Sequence, residues 1–287
     1  MNRKIFDAYI ELSKPSIMML VLITTALGFY FAQQGIKDLA LLCWTLLGAG
    51  LTCAGSASLN HYIERDSDAL MNRTKKRPLP MGIVLPAQAL AYGIIMILLG
   101  LTVLCVKVNL LTAFLSLLTA FLYVLVYTPI KKISWINTTI GAIPGAIPPV
   151  GGWAAARGEL GLEAWVLFLI LFAWQHPHFY SIAWIYKEDY AKAGYKMLPC
   201  VYPDGKYTFM QAIFFSIILI VVSMVPSLIG MSGKVYFVGA LMLGIWMLVL
   251  SINLSRSKTI LDARQLLKAS VIYLPLLLLL IAFDVNF

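Results

Sequence analysis

The sequence predicts an all-α, polytopic membrane protein: about nine transmembrane helices in one bundle, with a central cavity opening to the cytoplasmic side. Three observations predict it. Only 12% of the 287 residues are charged and 61% are hydrophobic, about half the charged fraction of a soluble domain. Apolar runs of about 20 residues, the length that crosses a bilayer, recur along the whole chain. With nine spans and the N-terminus inside, 18 of the 22 Lys and Arg residues fall on one side, leaving Lys37, Lys107, Arg157 and Lys234 on the other. That asymmetry obeys the positive-inside bias. The net charge of +9 therefore belongs to one membrane face, where it suits anionic lipid, and not to a nucleic-acid surface.

The expected spans are 15–33, 39–59, 84–106, 109–128, 136–156, 163–185, 209–230, 235–254 and 269–286. The first follows a short charged leader and is long enough to remain as a span rather than be cleaved as a signal. The fifth, which includes "GAIPGAIPPVGGW", places Pro144, Pro148 and Pro149 among glycines. Such irregular backbone is tolerated in a membrane only where protein or a cavity buries it. Cys43, Cys53, Cys105 and Cys200 lack metal-ligand or redox spacing and read as packing residues. Acids are almost absent from the spans, which speaks against a transporter or channel. The whole chain, 1–287, reads as a single membrane domain.

Polar chemistry collects in the inside loops. In "NHYIERDSDALMNRTKKRPLP", residues 60–80, Asn60, Glu64 and Asp68 stand at i, i+4 and i+8. On a helix continuing from span 2 they share one face over about 12 Å. Two acids aimed the same way repel unless a cation lies between them, and oxygen ligands of this kind suit Mg²⁺ together with substrate phosphate. Arg73, Lys75, Lys76 and Arg77 follow and can pair with phosphate oxygens. Acids for a metal beside bases for an anion point to a metal–diphosphate site.

The second charged stretch, "LFAWQHPHFYSIAWIYKEDYAKAGYKMLP" (171–199), carries His176, His178, Lys187, Glu188 and Asp189 around a kinking Pro177. Trp174 and His178 share a face, and Asp189 returns to nearly the same azimuth if the helix continues. A ligand-facing histidine and a satisfied core histidine are both open readings here. The short loop "YTPIKKISWIN" adds Tyr127, Lys131, Lys132 and Asn137.

These stretches resemble the UbiA-type intramembrane prenyltransferases. The family's first acidic motif, Asn-x-x-x-Asp-x-x-x-Asp, is matched by Asn60, Glu64 and Asp68, with Glu64 a conservative departure. The match is fullest with the branch that acts on heme, through "RDSDALMNRTKKRP" (65–78), "YTPIKK", "GAIPGAIPPVGGW" and "WQHPHF…EDYAKAGYKMLP". Many other members carry Asp where this chain has His61. The general second motif, Asp-x-x-x-Asp, fails at Ala193, four residues past Asp189, which argues against the quinone-ring and chlorophyll branches. The resemblance implies that farnesyl diphosphate and heme b are substrates, heme not being a held cofactor. It implies Mg²⁺ on Asn60, Glu64 and Asp68 with Asp189 as helper, and Arg73, Arg77, Lys131 and Lys187 on the diphosphate. It places heme against His178, with His176 as the weaker candidate. Partners in heme supply or terminal-oxidase assembly are further expectations, as is the alternative of another aromatic acceptor such as a quinone precursor.

Overall fold

The computed structural model describes residues 3–285. The elements are α1 (Arg3–Leu12), α2 (Pro15–Gln33), α3 (Leu39–Leu70), α4 (Pro86–Lys107) and α5 (Leu110–Phe121). A π-helical stretch at Leu122–Tyr127 joins α5 to the short α6 (Thr128–Ile130). Then come α7 (Asn137–Ala146), α8 (Pro148–Arg157), α9 (Leu162–Ile185), α10 (Lys187–Lys192), α11 (Leu198–Val201), α12 (Lys206–Leu228), α13 (Lys234–Ser257) and α14 (Ile260–Phe283).

Among the described residues, eight helical segments are long and apolar enough to cross a membrane: α2, α3, α4, the α5–α6 segment, α9, α12, α13 and α14. The expected fifth span is instead two stacked ten-residue helices, α7 and α8, which meet at Ile147. Proline lacks the N–H that would continue the ladder, so α7 ends before Pro148 and Pro149, and Pro148 opens α8. The last expected span, 269–286, ends outside the described residues. Its helix starts earlier than expected, at Ile260, where the Thr259 side chain accepts a hydrogen bond from the Asp262 N–H.

Close packing is set by small residues. A Cβ on Gly28 of α2 would run into the carbonyl of Pro149 in α8, and one on Gly152 would meet the carbonyl of Thr25. In lipid no hydrophobic drive pushes helices together, so this backbone approach supplies the attraction. Helix α9 is the most buried of the long helices and packs against α7, α12 and α14. Large apolar side chains such as Val106, Leu110 and Leu228 face outward, as a lipid surround allows. The ring of helices leaves a cavity of about 810 Å³.

Candidate functional site

Helix α3 runs unbroken for 32 residues and carries Asn60, Glu64 and Asp68 to one end of the cavity. All three are buried, with Asn60 and Asp68 fully so. Each is held by a cation from another part of the chain. Lys14, in the left-handed elbow between α1 and α2, donates to Asn60 Oδ1 and to the Tyr123 hydroxyl, the latter at 3.2 Å. Lys131, just past α6, donates to Glu64 Oε1 at 2.7 Å. Arg77 Nη1 reaches both Asp68 oxygens, at 2.9 and 2.8 Å.

The orientation of the Asn60 amide follows from its neighbours. The Thr128 hydroxyl donates to the Tyr123 carbonyl at 2.8 Å, so it accepts from Asn60 Nδ2 at 2.9 Å. That leaves Oδ1 as the acceptor for the Lys14 ammonium. The Thr128 bond belongs to the π-helical stretch, where Pro129 supplies no N–H and Tyr123 and Tyr127 line the cavity. Lys131 also lies over the Tyr127 ring, 4.4 Å from its centroid.

The electrostatics favour anion capture. Burial works against the Lys131 charge, but the Glu64 carboxylate and the Tyr127 and Tyr123 hydroxyls outweigh it and hold the ammonium well above its ordinary value. Lys14 is different. Burial of its ammonium end pushes it down to about 7, with Glu64 opposing and Arg77 and Lys131 reinforcing the fall. An incoming anion would stabilise the charged form.

Not every expected residue gathers here. Among the described residues, no three His, Cys, Asp or Glu side chains stand close enough to hold a metal as they are. Glu64 and Asp68 are instead paired with Lys131 and Arg77. The donor set itself, amide and carboxylate oxygens, is of the hard type that Mg²⁺ takes, so the residues fit the ion once the cations move aside. Asp189 sits at the rim and accepts from the Arg73 backbone N–H at 3.2 Å. It does not share the azimuth of His178, because the helix breaks at Tyr186 and restarts as α10. Arg73 lines the cavity and stacks on Tyr186, 4.9 Å from its centroid. Lys187 lies over Trp184 at 4.1 Å and is not part of the cavity wall.

The two histidines of α9 separate cleanly. His176 is fully buried, bonded to the Phe172 carbonyl at 2.8 Å and Thr139 at 3.3 Å, and stacked on Phe215. It packs the helix and does not line the cavity. His178 does line it, stacked on Trp174 with centroids 4.9 Å apart. Ser270 of α14 donates to the Leu267 carbonyl at 2.7 Å. Its hydroxyl therefore accepts from His178 Nδ1 at 2.8 Å, which leaves the Nε2 lone pair of the neutral ring unengaged. Trp174 Nε1 donates to the Ser270 carbonyl at 2.8 Å, so one residue anchors both rings. Lys14, Tyr123, Thr128 and Ser270 were not singled out by sequence reasoning. The one signal was for Lys14, a base placed directly before a proline at a span start.

The profile of the UbiA prenyltransferase family matches residues 21–275. The chain belongs to that family. UbiA-family kinship makes it a multi-pass membrane prenyltransferase, and the most similar relatives narrow the branch. It is 48% identical over 285 residues to the protoheme IX farnesyltransferase of Solibacter usitatus, covering 96% of this chain and 98% of the relative. It is 45% identical to that of Salinibacter ruber, with the same coverage. Among solved structures, a digeranylgeranylglyceryl phosphate synthase superposes with a TM-score of 0.82 at 19% identity, covering 98% of both chains. A UbiA homolog from Archaeoglobus fulgidus bound to DMAPP and Mg²⁺ superposes with a TM-score of 0.70 at 18% identity, covering 96% of this chain and 99% of that one. At such identities the structures carry the fold alone.

Proposed function

We propose that this UbiA-family protein is a heme o synthase, which transfers the farnesyl group of farnesyl diphosphate to a vinyl group of heme b. The observation that carries the reading is kinship to protoheme IX farnesyltransferases along nearly the whole chain. The cavity supports it, with paired acids and bases at one end and an aromatic-backed histidine on its wall.

Asn60 Oδ1, Glu64 and Asp68 would hold Mg²⁺, with Asp189 as a rim helper. When bound, the ion neutralises charge that builds on the departing diphosphate. The chain's own cations do the rest: Arg73, Arg77, Lys131 and Lys14 bind and orient the diphosphate oxygens, with Lys187 at most steering from outside. Diphosphate would draw Lys131 from Glu64 and Arg77 from Asp68 as the acids turn to the metal. The C–O bond of the allylic diphosphate breaks and its electron pair leaves with the diphosphate. The terminal vinyl carbon of heme bonds to the farnesyl carbon. The resulting cation takes the oxygen of water and releases a proton, giving a hydroxyethylfarnesyl substituent. An apolar cavity wall keeps water from the farnesyl cation before that point.

His178 would contact the heme through the Nε2 that Ser270 leaves unengaged; His176, bonded on both nitrogens, is the weaker candidate. The basic loops would face the cytoplasm, with the site opening there, and the whole chain would act as one domain. The product would pass to proteins of the heme pathway or of terminal-oxidase assembly.

Purified protein in detergent, given Mg²⁺, farnesyl diphosphate and heme b, should yield a porphyrin heavier by a farnesyl group and a hydroxyl on mass spectrometry. Unmodified heme, with prenylation of 4-hydroxybenzoate instead, would move the protein to the quinone branch.

A further inference from the structure

We infer that His61 is a direct ligand of the divalent cation, the nitrogen donor in an otherwise oxygen-based site. The inference rests on the metal–diphosphate reading above. His61 is 2% exposed and lines the cavity, yet neither ring nitrogen has a hydrogen-bond partner among the described residues. The other two histidines differ. His176 is bonded at both nitrogens and His178 at Nδ1. A polar atom left unpaired in a buried place is costly, so such a ring is expected to have a partner that arrives from elsewhere.

Geometry names that partner. At about 100° per residue, Asn60, His61, Glu64 and Asp68 stand near azimuths of about 0°, 100°, 40° and 80° on α3. His61 thus falls on the same face as the three oxygen donors. Its Nδ1 lies 3.9 Å from Asp68 Oδ2, too far for a hydrogen bond. Two ligands each about 2.0–2.2 Å from one ion stand no more than about 4.4 Å apart, so one cation can touch both. An imidazole donor also shifts metal choice: it raises affinity for Mn²⁺, Co²⁺ and Zn²⁺ relative to an all-oxygen site.

Pulsed electron paramagnetic resonance of the full chain in detergent, loaded with Mn²⁺ and inorganic diphosphate, reads this directly. The wild type should show both ³¹P and ¹⁴N coupling to the manganese. His61→Gln and His61→Asp should lose the ¹⁴N coupling while keeping the ³¹P coupling. The glutamine variant should also bind Mn²⁺ about tenfold more weakly at an unchanged melting temperature. Coupling to ³¹P without ¹⁴N in the wild type, or ¹⁴N coupling that survives both substitutions, would overturn the ligand assignment and leave the metal–diphosphate site standing. Absence of any bound Mn²⁺ would remove that site and the assignment together.

Discussion

Glu64 is 7% exposed, and its ionic partner is Lys131 at 2.7 Å. Removing one partner of a buried pair leaves an uncompensated charge and costs about 3–5 kcal/mol. Lys131→Met should therefore lower stability by that order in a thermal melt. Adding Glu64→Gln should restore most of the loss without restoring turnover, because both residues also serve the proposed site. A Lys131→Met melt equal to wild type would contradict the pairing. At His178 the expectation concerns heme. Ser270→Ala removes the acceptor that holds Nδ1–H, so heme affinity should fall about tenfold, as for other supporting partners of a ligating histidine, with a changed visible spectrum. Ser270→Thr, which keeps the hydroxyl, should bring both back. The spacing of Asn60, Glu64 and Asp68 was legible because it is local, repeating every four residues on one helix. Lys14 and Ser270 were not, since their partners lie 46 and 92 positions away; Lys14 carried only the faint mark of a base directly before Pro15.

At the scale of elements, proline told most of the story. Pro144, Pro148 and Pro149 marked irregular backbone inside what was expected as one span, and the structure divides that span into α7 and α8 at Pro148. The break at Tyr186 carried no such mark: no proline or glycine stands at that position. That is why Asp189 was expected on the face of His178 and is found instead on the Arg73 backbone. The α2–α8 contact gives a direct test of packing. Gly28→Val would force side-chain atoms into the Pro149 carbonyl, and overpacking of this kind costs about 1–3 kcal/mol or more. Gly151→Ala meets nothing within 4 Å and should melt like wild type. Equal melting of the two variants would count against this helix pair.

For the molecule as a whole, composition and charge sufficed for the class; nine spans were expected, and eight helical segments of spanning length are found among the described residues. Cavity volume was not legible, because it depends on how helices far apart in the chain cross. Orientation is the remaining global property. In a cysteine-free background, cysteine at exposed Lys76 should react with a membrane-impermeant reagent only from the cytoplasmic side, and cysteine at exposed Lys37 only from the opposite side. The reverse pattern would invert the bundle. The central claim is that metal, diphosphate and heme meet in this one cavity, and the most direct measurement is product formation with its stoichiometry. Wild-type protein with Mg²⁺ should release one diphosphate per farnesylated heme, and both products should vanish on chelating the metal and in folded Asp68→Asn. Undiminished farnesyl transfer to heme in folded Asp68→Asn, or in the presence of chelator, would contradict the account.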